Sequence, residues 1–344
     1  MNTSSAAPAP AWRDKLNGIL FVGLLAAAVM QLADTAAVRT LGVSPLVVGI
    51  VCGMLYGNFL RGTMPEQWGA GVHFTARRLL RIAVAFYGLN ISIQQIAAVG
   101  MPGLVVSTAV VVGTLVLGTL VGTRLLGLDR DTAMLTAAGS AICGAAAVLA
   151  FEPTLRTQSH KSAVAVATVV LFGTLAMFLY PVFHRVGWLP FDTQALGIYI
   201  GGTVHEVAQV VAAASNIDPA TTEVATIVKM TRVALLVPVL LVLGLWLRNA
   251  AGAQAPGAGK LPIPWFAVGF LALALVNSAG VIAPEVAAAI RKLDLFALTM
   301  AMTALGIETR FAQIRQAGPR VLALGLVLFA WLIFGGYALV KLAA

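Results

Sequence analysis

Charged side chains are scarce in this chain: Asp, Glu, Lys and Arg make up 10% of its 344 residues, whereas 60% of the residues are hydrophobic. Soluble domains carry far more charge, and repeated apolar runs of about 18 or more residues are typical of membrane-spanning helices. The runs also lack the alternation of polar and apolar residues that a transmembrane β-barrel requires. The sequence therefore predicts an all-α polytopic membrane protein.

Several functional classes are excluded by what is missing. The only two cysteines, Cys52 and Cys143, lie in apolar segments without a CxxC partner, so neither a disulfide framework nor a cysteine metal site is indicated. No G-x-x-x-x-G-K-[ST] motif is present, which excludes an ATP-driven pump built from this chain alone. We expect no cofactor, no bound metal and no enzymatic activity. The net charge of +9 is scattered between apolar runs, which argues against nucleic-acid binding.

Eleven apolar segments are predicted, and each is interpreted as one crossing of the bilayer. Alternating sides then gives the side of the N-terminus fourteen Lys and Arg residues against six, so the N-terminus is expected in the cytoplasm of a bacterial cell, with the chain in the inner membrane. Residues 1–17 are predicted to be a disordered cytoplasmic tail, and 18–344 a single membrane transporter domain. The first apolar run, 18–38, is longer than the apolar core of a signal peptide and is therefore interpreted as a spanning helix, with a cleaved signal peptide as the alternative. The segments are 18–38, 44–60, 79–98, 101–126, 131–151, 162–184, 193–214, 223–247, 263–282, 293–309 and 318–342.

Internal repeats are visible in the sequence. Residues 81–100 align without a gap with 299–318 at an offset of 218, which pairs Gly100 with Gly318. Upstream, 45–58 aligns with 264–277 and pairs Asn58 with Asn277. By the segment count the two copies, 45–126 and 264–342, cross the membrane in opposite directions. Inverted repeats of this kind are typical of secondary transporters.

A second similarity relates "GSAICGAAAV" (139–148) to "GGTVHEVAQV" (201–210) at an offset of 62. These Gly-rich stretches lie in segments 131–151 and 193–214, only two segments apart, which would make them parallel unless one is re-entrant. Unwound backbone is tolerated in a membrane only where it is buried in protein or lines a cavity. We therefore expect broken or re-entrant segments here. Close packing of small residues is the alternative explanation.

Four ionisable residues lie within apolar runs: Glu206, Lys229, Arg232 and, less deeply, Glu308. Each unpaired charge at the bilayer centre costs about 2.5–3.5 kcal/mol, so these groups must be paired, hydrated or neutral. Lys229 and Arg232 are three residues apart and share a helix face. They form either a net-positive site for an anion or, with Glu206, an ion pair that joins two helices.

The predicted binding site combines these charges with polar residues of the Gly-rich stretches, whose hydroxyls and free N–H groups suit an oxyanion. Glu206 is expected to act as a gate or as a proton carrier. The substrate-binding residues are expected to be Ser140, Gly144, Thr203, His205, Glu206, Gln209, Lys229 and Arg232. Further lining residues are Asn90, Asn277 and Glu308, although Glu308 is also placed to pair with Arg310.

His205-Glu206-x-x-Gln209 differs from the zinc-hydrolase motif H-E-x-x-H at its last residue. That motif needs two imidazoles on one helix face, and glutamine is a poor zinc ligand. The other histidines, His73, His160 and His184, fall at segment ends or in loops. An intramembrane metallohydrolase is therefore the minor alternative.

The chain resembles the YeiH-type family of bacterial inner-membrane proteins, which are proposed to export sulfate. The resemblance rests on both Gly-rich stretches and on "VKMTRVALLVPV" (228–239), "LPIPWFAVGFLALALVNS" (261–278) and "ALTMAMTALGIETRF" (297–311). It implies a multi-helix transporter related to the inverted-repeat cation/proton antiporters and bile-acid symporters. Ser140 and Thr203 stand where the family pattern has other small residues.

These observations predict a secondary transporter of a small inorganic or organic anion, with sulfate export as the family's suggestion, working by alternating access. A proton or Na⁺ is the expected coupling ion, and the bilayer is the only other expected partner. The oligomeric state stays open, with a homo-oligomer among the alternatives. The rival interpretation is a cation/proton antiporter that uses Glu206 and Glu308.

Overall fold

The computed structural model describes residues 12–35, 38, 44–251, 265–312 and 317–343. Within these ranges the regular structure is helical throughout and contains no strand, which confirms the predicted all-α class. The first helix begins at Trp12 rather than at residue 18, so residues 12–17 of the predicted tail belong to a helix. The predictions for residues 1–11, for 252–264 and for the shorter gaps between these ranges lie outside the described residues.

The described residues contain sixteen α-helices, numbered in chain order. They are α1 (Trp12–Ala33), α2 (Pro45–Leu55), α3 (Gly69–Phe74), α4 (Leu80–Phe86), α5 (Ile93–Leu120), α6 (Arg130–Ala141), α7 (Ala145–Leu155), α8 (Ser159–Arg185), α9 (Thr193–Thr203), α10 (Val207–Ser215), α11 (Pro219–Ala234), α12 (Leu236–Ala251), α13 (Trp265–Ser278), α14 (Pro284–Glu308), α15 (Pro319–Ala330) and α16 (Gly336–Ala343). Turns of π-helix extend several of these helices: Val121–Leu125 continues α5, and Trp331–Gly335 connects α15 to α16.

Membrane-spanning length is reached by five continuous helical stretches among the described residues. They are Trp12–Ala33, Ile93–Leu125, His160–Arg185, Pro219–Trp246 and Pro319–Ala343. Shorter apolar helices occupy Pro45–Leu60, Ala145–Leu155 and Val268–Ser278. The protein is accordingly an all-α membrane protein.

The described chain divides into two compact units. The first comprises the described residues of Met1–Ala83 and Ala289–Arg310. Its core contains Val22, Val72 and Ile307, all almost fully buried. Glycines bring its helices into backbone contact: a Cβ atom at Gly53 would lie 2.1 Å from the carbonyl oxygen of Thr303. Such close approach is how helices pack in lipid, where hydrophobic burial gives no driving force between them.

The second unit comprises Val84–Ala288 and Phe311–Ala344, with the gaps given above, and contains a helical hairpin made of α6 and α7. The two helices run antiparallel, because Val148 of α7 packs against Gly139 of α6. The ends of the hairpin return to one level, since Lys161 at the start of α8 forms a 2.6 Å ion pair with Asp129, the N-cap of α6. We call this element hairpin 1. Ile142–Gly144 form its tip.

A second hairpin in the same unit consists of α9 and α10, with Val204–Glu206 as its tip. Gly197 and Gly201 of α9 pack successively against Val224 and the Ala225 carbonyl of α11, so α9 and α11 run parallel. Since only residues 216–218 connect α10 to α11, α10 must run back along the hairpin. We call this element hairpin 2.

The hairpins enter from opposite ends of α5. Hairpin 1 lies beside the C-terminal end, where Ala133 and Ala137 pack against Gly122 and Gly118. Hairpin 2 lies beside the N-terminal end, where Gln194 donates to the Ala98 carbonyl at 3.3 Å. Segments 131–151 and 193–214 are therefore re-entrant and do not cross as single spans. This corrects the alternating assignment of membrane sides, which put Arg185 on the side of Arg124 and put Arg156 and Lys161 on the opposite side. With hairpin 1 re-entrant, Arg156 and Lys161 lie on the side of Arg124, and Arg185 lies on the other side.

Re-entrance also resolves the conflict between the two sequence repeats. One crossing helix, α8, lies between the hairpins, so the stretches related by the offset of 62 enter in opposite directions. Their geometry matches closely: α6 and α9 end at Ala141 and Thr203, and α7 and α10 begin at Ala145 and Val207. Each pair of positions differs by the same 62 residues.

The longer repeat is also reproduced in local structure. Asn58 donates to the carbonyl oxygen of Thr309 at 2.9 Å, and its repeat mate Asn277 donates to that of Ile91 at 3.1 Å. Thr309 and Ile91 are themselves related by the offset of 218. Gly100 and Gly318, also matched, both adopt positive φ, at 49° and 81°, a conformation that costs glycine little. Each asparagine therefore connects its own copy of the repeat with the matched position in the other copy.

Candidate functional site

The tips of the two hairpins meet at one helix, α11. Lys229 is fully buried, and its Nζ donates to the carbonyl oxygens of Ile142 at 2.7 Å and Val204 at 2.8 Å. One oxygen belongs to each tip. A single ammonium group therefore holds two chain breaks together, although these breaks lie 62 residues apart in the sequence.

Arg232, one turn further along α11, uses all three of its guanidinium nitrogens in the same way. Nε donates to the Ala141 carbonyl at 3.1 Å, and Nη2 contacts the Ala141 and Ser140 carbonyls. Nη1 donates to the carbonyls of Gly201 at 3.2 Å and Val204 at 3.0 Å. The side chain is fully buried. Its planar fork of donors fits this divided set of acceptors, which a lysine would not match.

These contacts explain how two cations are tolerated at this depth. The last carbonyl groups of a helix lack partners within the helix and carry the negative end of its dipole. Lys229 and Arg232 serve such groups at the C-terminal ends of α6 and α9. Among the described residues their hydrogen bonds go to backbone oxygens and not to Glu206, so the ion pair considered from the sequence is not formed as a direct contact.

Glu206 lies at the opposite kind of helix end. It precedes Val207, the first residue of α10, and its carboxylate accepts a 3.0 Å hydrogen bond from the N–H of Ala145, the first residue of α7. Helix N-termini offer free N–H groups and a positive dipole end. The carboxylate therefore occupies the place that an anion would favour, and only 8% of the residue is exposed.

Gly144 makes this contact between the tips possible. Its backbone has φ 68° and ψ −135°, a region that residues with a side chain rarely adopt. A Cβ atom at this position would lie 2.2 Å from Cγ and 2.5 Å from Oε1 of Glu206. Both observations require glycine, and the second shows that the missing side chain gives room to a carboxylate of the other hairpin.

Gln209 anchors the tip of hairpin 2 to α8. Its Oε1 accepts a 3.1 Å hydrogen bond from the Glu206 N–H, while Nε2 donates to the Val170 carbonyl and the Thr174 hydroxyl, both at 3.4 Å. Gly173 leaves the space for this amide, because a Cβ atom there would lie 2.1 Å from Oε1. The residue that replaces the second histidine of the zinc motif is thus a bridge within the protein.

His205 lies between Val204 and Glu206 in the tip of hairpin 2. Its exposed fraction is 1%, and neither ring nitrogen has a hydrogen-bond partner among the described residues. Buried polar groups without a partner are rare in proteins because leaving one unsatisfied costs about 1–3 kcal/mol. The imidazole is therefore a buried group with unused hydrogen-bonding capacity beside the tips.

The two predicted hydroxyl ligands are placed differently. Ser140 contributes its carbonyl oxygen to Arg232, and the Thr203 hydroxyl donates to the Tyr199 carbonyl at 2.6 Å. The partners that sequence reasoning missed are backbone groups: the carbonyls of Ile142 and Val204 and the N–H of Ala145. Only the glycine pattern signals them, because it marks where backbone groups lose their helical partners.

The three predicted lining residues make local or inter-helix contacts of their own. Asn277 holds the Ile91 carbonyl, and Asn90 bonds the carbonyl of Tyr87 within its own turn. Glu308 belongs to the first unit, where it contacts His73 at 2.9 Å and Arg77 at 3.8 Å. Among the described residues, Glu308 therefore pairs with these two side chains and not with Arg310, the neighbour expected from the sequence.

Comparison with known proteins identifies relatives over nearly the whole chain. Residues 17–325 match the family described as conserved hypothetical protein 698. A UPF0324 membrane protein of Bordetella pertussis is 80% identical over 344 residues, which cover 99% of both chains. The UPF0324 inner membrane protein YeiH of Escherichia coli K12 is 43% identical over 303 residues, which cover 88% of this chain and 87% of YeiH. The chain belongs to the YeiH-type family.

A third YeiH-type relative, a UPF0324 membrane protein of Pseudomonas putida, is 63% identical over 334 residues, which cover 97% of this chain and 95% of the relative. The matched region contains both hairpins and α11. The resemblance inferred from the Gly-rich stretches is therefore confirmed, and the relatives' names agree with the apolar helices in placing YeiH-type proteins in a membrane.

Proposed function

We propose that this protein is a secondary transporter of a small anion in the bacterial inner membrane and works by alternating access at the hairpin tips. The observation that carries the proposal is the meeting of both tips at Lys229, 2.7 and 2.8 Å from one carbonyl of each. Binding sites of secondary transporters are built near the bilayer midplane from interrupted helices related by internal repeats. The two hairpins have that design.

The charges at the tips favour an anion. With histidine counted as neutral, Lys229, Arg232 and Glu206 sum to a formal charge of +1 in a buried cluster. An uncompensated charge at this depth is costly, and an anionic substrate would compensate it. The N-terminal ends of α7 and α10 add positive dipole ends on the side of Glu206.

Alternating access follows from the way the tips are held. Each hairpin enters from its own side, and its tip is attached to α11 through hydrogen bonds to Lys229 and Arg232. Withdrawal of one tip would open the cluster toward that side, while the other tip stays attached. Arg124, Arg156 and Lys161 flank the base of hairpin 1, and the positive-inside rule would then put that side of the second unit in the cytoplasm.

A cation/proton antiporter is the rival function, since Glu206 is a buried carboxylate. Its proposed second carboxylate, Glu308, is engaged with His73 and Arg77 and is less buried. Within the described chain, no group of three or more His, Cys, Asp or Glu side chains is placed to hold a metal ion. The two fixed cations near Glu206, Lys229 and Arg232, would also repel a transported cation. These points favour the anion.

Flux through proteoliposomes tests the proposal. The purified protein is reconstituted, and exchange of radiolabelled sulfate, sulfite and a small carboxylate is measured beside Na⁺-driven proton movement. We expect exchange of at least one anion and at least a tenfold loss in Lys229→Gln. Glutamine keeps N–H donors for the tip carbonyls but removes the charge, so the variant separates electrostatics from hairpin attachment.

Lys161→Gln is the matched control, because it removes a cation at the base of hairpin 1 and leaves the tips unchanged. It should transport as the wild type does. Na⁺-driven proton movement that Glu206→Gln abolishes, in a protein that exchanges none of the anions, would replace the proposal with the antiporter. Full anion exchange by Lys229→Gln would remove the role of its charge.

A further inference from the structure

We infer that Glu206 is a built-in competitor of the substrate, and that a divalent anion binds only as a proton neutralises this carboxylate. The inference rests on the proposed function and adds the charge class of the substrate and the coupling ion. In the structure the carboxylate holds the Ala145 N–H at the start of α7. A substrate oxygen needs the same donor, so one anionic group must leave before another arrives.

The geometry makes Glu206 suited to such an exchange. Its side chain reaches across from hairpin 2 to hairpin 1 through the gap left by Gly144, and both α7, with 11 residues, and α10, with 9, are long enough to carry a helix dipole. Its carboxylate takes part in the capping box of α10 with Gln209 and accepts the hydrogen bond from the Ala145 N–H. Protonation would weaken that bond, because a neutral carboxyl group is a poorer acceptor than a carboxylate.

His205 is a second, independent sign that the tips receive a ligand. The ring is buried, adjoins Glu206 and has no partner for either nitrogen among the described residues. The other ionisable groups near the tips are Cys143 on hairpin 1, Lys229 and Arg232 on α11, and Tyr180 on α8, which lies near Arg232. The His205 ring therefore has hydrogen-bonding capacity left for an incoming oxyanion.

Charge balance selects the divalent class. Lys229 and Arg232 contribute +2, and an ionised Glu206 reduces this to +1. A dianion added to the ionised form would leave −1, whereas a dianion added with one proton on Glu206 leaves zero. The neutral combination carries the smallest desolvation cost in a buried site. A monovalent anion reaches zero beside the ionised carboxylate and therefore needs no proton.

The exchange is a proton transfer without covalent chemistry on the anion. One solvent proton forms an O–H bond with the Glu206 carboxylate, the Ala145 N–H changes its acceptor from Glu206 to a substrate oxygen, and the neutral carboxyl group moves aside. Transport of each dianion therefore moves one proton in the same direction. Return of the empty site requires the proton to leave first, because two uncompensated cations would otherwise remain.

Isothermal calorimetry in buffers of different ionisation enthalpy tests this with purified wild-type protein in detergent. Sulfate is the probe because it stays a dianion at neutral pH, so any proton taken up must go to the protein. We expect one proton per bound sulfate and about a tenfold weaker affinity for each pH unit of increase. Chloride should bind, if at all, without proton uptake.

Glu206→Gln supplies the decisive variant, since it imitates the protonated side chain at equal size. It should bind sulfate with no proton uptake and with an affinity that is nearly independent of pH. Glu223→Gln is the matched control: this carboxylate, also on a helix of the second unit, bonds Gln95 away from the tips and should leave the coupling unchanged.

Sulfate binding without proton uptake in the wild type overturns the inference and leaves the proposed transport intact. Persistent uptake in Glu206→Gln would assign the proton to another group and overturn it as well. The comparison of sulfate with chloride in the wild type decides the matter even if the variant does not fold. Absence of binding by every anion tested would overturn both the inference and the proposed function.

Discussion

Lys229 on α11 donates a 2.7 Å hydrogen bond to the carbonyl oxygen of Ile142 at the tip of hairpin 1. The same ammonium group donates to the Val204 carbonyl at the tip of hairpin 2. A lysine whose deep position in the sequence suggests an anionic ligand is therefore already hydrogen-bonded to the backbone. The positive charge can still attract a substrate electrostatically. Its hydrogen bonds, however, are used to keep two chain breaks in place.

Arg232→Ala should be among the most destabilising substitutions in the protein. It would remove the Arg232 hydrogen bonds to the buried carbonyl groups of Ser140, Ala141 and Gly201, and each buried polar group left unsatisfied costs about 1–3 kcal/mol. Unfolding by heat or denaturant in a defined detergent measures this loss. Lys161→Ala removes a partly exposed ion pair and should cost about 1 kcal/mol or less. Equal stability of the two variants would contradict the structural role of Arg232.

Gly144→Ala should abolish anion exchange. The new Cβ would collide with the Glu206 side chain, 2.2 Å from its Cγ, and the backbone would be strained at φ 68°. Gly187→Ala isolates the second effect, because Gly187 also has positive φ, at 77°, with open space around its Cβ position. It should cost about 1 kcal/mol and retain exchange. Equal activities of the two variants would show that the approach of Glu206 to Gly144 is unimportant.

Asn58→Ala and Asn277→Ala should destabilise the protein by similar amounts, about 1–3 kcal/mol each. Both asparagines donate to a carbonyl of the repeat-matched position, Thr309 or Ile91. Unfolding midpoints in detergent measure the effect. Asn90→Ala is the control, since the hydrogen bond that its amide donates among the described residues goes to a carbonyl in its own turn, and the loss should be smaller. A large difference between the first two variants would weaken the structural equivalence of the repeats.

Thiol labelling from one side of the membrane tests the re-entrant hairpins. In a Cys52→Ala, Cys143→Ala background, Arg124→Cys and Gln158→Cys flank hairpin 1 and should react from the same side, whereas Trp188→Cys should react from the other. Whole cells and inverted vesicles treated with a membrane-impermeant maleimide provide the comparison. If segment 131–151 crossed the bilayer once, Gln158→Cys would instead react from the side opposite Arg124→Cys.

Part of this architecture was accessible from the sequence because it depends on local composition. Glycine at 139 and 201, each followed by small residues, predicted interruptions near Ile142 and Val204, and the structure places both breaks there. The pairing of Asn58 with Asn277 was also predicted correctly, since a repeat preserves the polar groups that its helix contacts require. Membership of the YeiH-type family followed from the same stretches.

The direction of the chain after each break was not accessible. An apolar stretch of about 20 residues has the length of one span, and hydropathy has the same value whether its second half continues or turns back. Only tertiary contacts, such as Val148 against Gly139 and Lys161 against Asp129, decide for a hairpin. The side assignment of Arg156, Lys161 and Arg185 changed for this reason.

By itself, the sequence determined that this is a helical membrane protein, where its helices break and which charges lie deep, because these properties follow from residue type and spacing. The tertiary structure alone decided what the deep charges contact. The partners of Lys229 and Arg232 are backbone carbonyls, and Glu206 is held by a backbone N–H. Every residue except proline has both groups, so only folding can select the ones that meet a charge.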